Sequence, residues 1–216
     1  MKTESLGGFD RFRVPAALLV IAIHTGPLLS LNGEANYLLT DILARIAVPF
    51  FFSVSGWFLV PRLLREGRAA LIPFVKKLLL LYGAAALLYL PLNLYNHTLE
   101  ESGFALLRDV FFNGTFYHLW YFPALVLGAC LVYGLLRILG PRWAWLPALL
   151  LYAAGLLGDS YFGLTAALPP LRAGYEALFL LFDYTRNGLF FPPVFLLLGG
   201  WLALRPARRS AAWYGA

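Results

Sequence analysis

The chain is predicted to fold as an all-α, polytopic transmembrane helical bundle of about six helices, and three observations predict it. Of its 216 residues 61% are hydrophobic and 13% charged, with a mean hydropathy of +0.73, whereas soluble domains carry about 25% charged residues. Six apolar stretches, at roughly 14–31, 42–60, 71–93, 118–139, 143–159 and 187–204, have lengths near the ~20 residues that a hydrocarbon core of ~30 Å requires. The cations are distributed unevenly among the segments that join those stretches.

The first stretch, RVPAALLVIAIHTGPLLSL, is interrupted by His24 and followed by no small-residue cleavage site, so it is expected to stay in the mature protein. The second, RIAVPFFFSVSGWFL, places Arg45, Pro49, Ser53 and Gly56 on one helix side. Pro61 is expected to end it and to open a cytoplasmic loop, PRLLREGRAALIPFVKK, whose cations meet the anionic inner leaflet. The third stretch is almost uniformly apolar. The fourth opens with HLWYFPALVLG, where Tyr117, Trp120 and Tyr121 read as an interfacial aromatic belt, and it holds Cys130, the one cysteine, whose expected role is packing.

The fifth stretch, 143–159, is the shortest. After it, residues 158–186 are too mixed to span, and LRAGYEALFLLFDYTR is expected to form a helix at the outer interface that covers a cavity. The sixth contains LFFPPVFLLLGGWLA. Pro15, Pro49, Pro123, Pro147, Pro192 and Pro193 lie within or near the spans. Broken helices are tolerated where they are buried in protein or line a cavity, so a polar interior is expected. No repeat or low-complexity linker divides the chain, which reads as one membrane domain over 1–216.

A net charge of +6 could suit nucleic acid, but its placement points to a membrane orientation and to no nucleic-acid partner. With the N-terminus inside, segments 1–13, 61–77, 137–142 and 205–216 carry 13 of the 17 cations, and Arg45, Arg108, Arg172 and Arg186 are the other four. Eight of the eleven acids fall on the opposite side. Positively charged loops stay in the cytoplasm, so the expectation is a multi-pass protein of the cell membrane with both termini cytoplasmic.

His24 is the leading chemical candidate. An ionisable group in a membrane helix is costly, and it is either satisfied by a neighbouring helix or functional; a neutral imidazole accepts a proton from a hydroxyl or amine. Arg13 lies eleven residues earlier on nearly the same face, about 16 Å along the axis. It is either a snorkelling anchor or a guanidinium fork for the phosphate of an anionic donor. Ser53 and Gly56 read first as close-packing residues, and Arg45 as an outer anchor. His118, Arg186 and Asn187 lie near the external opening; together with Arg45 and Ser53 they are the candidates for a substrate path. No metal site is expected.

FDRFRVPAALLVIAIHTGPL, RIAVPFFFSVSGWFL, HLWYFPALVLG and RNGLFFPPVFLLLGG resemble the membrane-embedded acyltransferase family (acyltransferase family three), and most of all the membrane module of vancomycin-resistance membrane-bound serine racemases. The resemblance runs in order over about residues 9–204. It implies an arginine, ten residues and a histidine in the first helix, matched by Arg13 and His24. It implies acyl-coenzyme A as donor and a cell-envelope polymer or lipid as acceptor, with His24 as general base or transient acyl acceptor and Arg13 holding the donor. The family has about ten helices, so the last four or so are expected to be missing here, along with the soluble racemase domain. The alternatives are a membrane carrier for L-serine or a similar small molecule, and an inactive fragment.

Overall fold

A computed structural model describes residues 7–96, 102–116 and 118–205. Every regular element among them is helical: α1 (Gly7–Thr25), α2 (Gly33–Tyr37), α3 (Ala47–Glu66), α4 (Arg68–Tyr95), α5 (Gly103–Arg108), α6 (Tyr121–Trp143), α7 (Trp145–Gly158), α8 (Phe162–Ala166), α9 (Pro169–Leu178) and α10 (Pro192–Leu204). Wider and tighter helical turns at Leu38–Leu43 and Ala44–Ile46 join α2 to α3, and another wide turn, Asp109–Asn113, follows α5. The all-α bundle expected from composition is what the chain forms.

Three helical stretches are long and apolar enough to cross a membrane unaided: Gly33–Glu66, Arg68–Tyr95 and Tyr121–Trp143. Helix α1 has 19 residues, about 28 Å at a rise of ~1.5 Å per residue. Helices α7 and α10 have 14 and 13 residues, lengths of only about 20 Å on the same rise.

Several boundaries differ from the sequence reading, each for a local reason. The first helix stops at Thr25 rather than at 31, because Gly26 turns to φ +52, a conformation that glycine adopts without steric cost. Pro61 does not end α3. The helix runs through it to Glu66 and is closed by Gly67 at φ +58; an internal proline forfeits one backbone bond and can be carried when packing holds the helix on both sides. The sixth helix begins at Pro192 instead of 187, with Pro192 and Pro193 in its first turn, where a missing N–H costs nothing. Residues 187–191 form a turn instead. Helix α6 is kinked within its length at Gly140, φ +76, just before Pro141.

The core sits where α3, α6 and α10 meet. Phe52, Leu59, Val60, Leu63, Val132 and Leu196 are all almost fully buried there. Small residues allow the close approach. A Cβ on Gly56 would collide with the Leu196 backbone, one on Gly199 with the Ser53 carbonyl, and one on Gly200 with the Val60 side chain. Such small-residue seams are how membrane helices associate when no hydrophobic force distinguishes neighbour from lipid. Helix α4, by contrast, presents Leu80 and Leu88 more than three-quarters exposed, as a lipid-facing helix does.

At one end of the bundle α8, α9 and the turns after them are pinned onto α7. Tyr175 donates to the Ala154 carbonyl at 2.6 Å, Thr185 to the Gly155 carbonyl at 2.6 Å, and Thr165 to the Leu157 carbonyl at 2.7 Å. Burial pushes the Tyr175 phenol above its ordinary value, which keeps it a donor. The LRAGYEALFLLFDYTR segment is therefore a helix only to Leu178, and its remainder is a packed loop.

Candidate functional site

The pinned loop forms one wall of a cavity of about 730 Å³. Helix α1 contributes Val20, Ile23 and His24; α2 contributes Tyr37 and the α2–α3 connection Asp41 and Arg45; α3 adds Val48 and Pro49. Opposite them stand Asp159 and Ser160 at the end of α7, and Tyr184, Thr185 and Arg186 from the loop. Trp120, Tyr152 and Phe191 make the aromatic part of the lining. Five stretches separated in sequence thus converge on one space, partly apolar and partly polar.

Two ion pairs face it. Arg45 donates to Asp41 Oδ1 at 2.8 Å, and Thr40 Oγ1 lies 2.9 Å from the other carboxylate oxygen. Arg186 Nε stands 2.9 Å from Asp159 Oδ2, off the hydrogen-bonding axis, with its guanidinium 5.6 Å from the centre of the Tyr184 ring. All four side chains are between 29% and 47% exposed. These pairs are therefore weak as struts and available to a ligand carrying charge of either sign.

His24 is exposed on the α1 wall, and its ring lies 5.8 Å, centre to centre, from that of His118. His118 does not itself line the cavity and stands edge-on to Tyr89 and Phe116 at 4.8 and 5.1 Å. The two imidazoles come from segments nearly a hundred residues apart. No group of three or more histidine, cysteine, aspartate or glutamate side chains suited to a metal occurs among the described residues.

The other sequence candidates divide. Arg13 lies away from the cavity at the opposite end of α1, half exposed and 3.0 Å from Asp10. Ser53 lies under Gly199 at the α3–α10 crossing, outside the cavity lining. Of the polar side of the second span, Arg45 and Pro49 reach the cavity while Ser53 and Gly56 serve packing. Asn187 is 2% exposed; it donates to the Tyr184 carbonyl and accepts from Leu189 N–H, shaping the loop that carries Arg186 rather than facing the space itself.

Asp41, Asp159, Ser160 and Tyr184 line the cavity without having been singled out in the sequence. The i, i+4 spacing of Asp41 and Arg45 was a usable signal; nothing local links Asp159 to Arg186. Trp120 and Tyr121 are not a lipid-facing belt. Trp120 lines the cavity, and Tyr121 stacks on buried Phe52 at 4.7 Å. Tyr117 lies outside the described residues.

Comparison with known proteins places this geometry in context. Residues 6–215 match the acyltransferase domain family. An amino-acid racemase of Enterococcus faecalis is 45% identical over 209 residues, covering 96% of this chain and 29% of that protein. A serine/alanine racemase of Enterococcus gallinarum is 43% identical over 213 residues, covering 94% of this chain and 30% of that protein. The chain spans about 30% of the length of these curated relatives. No solved structure matches it.

Proposed function

Since the chain belongs to the acyltransferase domain family, which it matches over residues 6–215, we propose that it transfers an acyl group, acetyl in the simplest case, from acyl-coenzyme A to a hydroxyl or amine of a cell-envelope acceptor. The observation that carries this reading is the exposure of His24 on a cavity flanked by two arginine–aspartate pairs. In the proposed step an imidazole nitrogen of His24 takes the acceptor's proton as its oxygen or nitrogen attacks the thioester carbonyl. The carbon–sulfur bond then breaks, and the departing coenzyme A thiolate takes the proton back from the imidazolium. Arg13, three turns away at the other end of α1, holds the donor's phosphates in a bidentate fork.

The charge bias along the chain favours cytoplasmic termini, which puts Arg13 on the donor's side and the Arg45–Asp41 and Arg186–Asp159 pairs on the acceptor's side. Cysteines at Gly33 and Gly163 are expected to react with an impermeant external reagent, and one at Gly67 to be shielded. The reverse pattern would invert the orientation.

Arg13→Ala in the full-length protein is expected to weaken donor binding by about 30-fold, the equivalent of about 2 kcal/mol for a lost phosphate contact, with kcat little changed. An unchanged donor KM would make Arg13 a plain anchor. The transfer itself is tested in sealed vesicles with labelled acetyl-coenzyme A supplied on the cytoplasmic side: acylated acceptor is expected outside, with stoichiometric thiol release inside.

A second reading, a membrane carrier for L-serine or a similar small molecule, is favoured by one finding. The relatives are named as amino-acid and serine/alanine racemases, and paired arginines and aspartates suit a zwitterion.

A further inference from the structure

Helix α4 contributes nothing to the cavity lining, yet it buries two polar side chains, Tyr82 and Asn93, at 7% and 2% exposure. On a helix otherwise faced with leucine, such groups persist only where they are satisfied and useful. Both direct hydrogen bonds to one short piece of backbone. The Tyr82 hydroxyl accepts from Thr115 N–H at 3.0 Å and lies 3.1 Å from the Val110 carbonyl, to which it donates; Asn93 Nδ2 donates to the Thr115 carbonyl at 2.7 Å. Thr115 is thus gripped at both its amide and its carbonyl.

Gly114, immediately before it, has φ +91, and a Cβ there would collide with the backbone of Trp120 and Leu119. The chain therefore doubles back tightly just after the grip, and what it delivers is His118 beside His24 and Trp120 in the cavity wall. Tyr89, one helical turn from Asn93 on the same helix, closes on the His118 ring.

We infer that Tyr82 and Asn93 are positioning residues that fix the turn after Asn113 so that His118 stands beside the His24 ring and Trp120 stands in the cavity wall. Through them α4 takes part in a site it does not touch. The catalytic consequence rests on the acyltransferase reading; the structural one does not.

The test uses full-length protein with Tyr82→Phe, Asn93→Leu and Asn93→Gln, and has two arms. In the first, diethylpyrocarbonate modification is followed residue by residue by mass spectrometry alongside the melting temperature. Tyr82→Phe and Asn93→Leu are expected to raise the rate at His118 several-fold without loss of cooperative melting, and Asn93→Gln, which keeps an amide donor, to restore part of the protection. Unchanged His118 reactivity in the folded variants would overturn the inference. So would a uniform rise at His24, His118 and the buried tyrosines, which marks general loosening. In the second arm, acyl transfer from acetyl-coenzyme A is expected to lose about ten- to a hundred-fold in kcat, as small misplacements do, with the donor KM unmoved. Absence of transfer in the wild type would count against the acyltransferase reading alone, and the labelling arm would still decide the positioning.

Discussion

Replacing His24 with alanine lowers acyl transfer by about 10²–10⁴-fold, the span typical of a lost general base, while donor affinity and melting temperature stay near wild type. The expectation of unchanged stability comes from where the residue sits. His24 is exposed on the cavity wall of α1 and is no part of the core between α3, α6 and α10, so its removal leaves no cavity in packed apolar structure. Steady-state kinetics on the purified full-length protein, with melting as control, reads both quantities. A parallel fall in activity and melting temperature would instead mark His24 as a packed residue.

Gly199→Ala is expected to destabilise the bundle by about 3 kcal/mol or more, at or beyond the upper end of ordinary overpacking. The added methyl would meet the Ser53 carbonyl and, at 2.8 Å, the Trp57 nitrogen, and backbone atoms cannot swing aside as a side-chain tip can. Gly134 on α6 supplies the control, since a Cβ there has nothing within 4 Å. Gly134→Ala is expected to be neutral or stabilising by about 0.5–1 kcal/mol from helix propensity alone. Unfolding of the two variants in detergent should therefore separate them widely. Equal behaviour would show that the α3–α10 crossing is not set by this seam.

How far the sequence could be read depended on the range of the interactions involved. Composition and apolar length reported the helical bundle, because both are properties of single segments. His24 stood out by the same logic, as one ionisable side chain in an apolar run. Helix ends were misplaced where a single residue overrode the pattern, as at Gly26, or where packing overrode a single residue, as at Pro61. The cavity was the least legible part. Arg45 and Arg186 were named, but their partners Asp41 and Asp159 were not, and the Asp159–Arg186 pair spans 27 positions with no periodic relation to announce it. The meeting of His118 with His24 depends on a glycine-enabled reversal held from a third helix, a relation that exists only once the chain has folded.

The central claim, that this cavity transfers an acyl group rather than passing a small molecule, is tested most directly by incubating the reconstituted full-length protein with labelled acetyl-coenzyme A, and in parallel with labelled L-serine. Wild type is expected to release coenzyme A thiol and move the label to an acceptor, and His24→Ala to do neither at more than about a hundredth of that rate. Accumulation of L-serine inside vesicles with no thioester cleavage would contradict the claim and establish the carrier reading in its place.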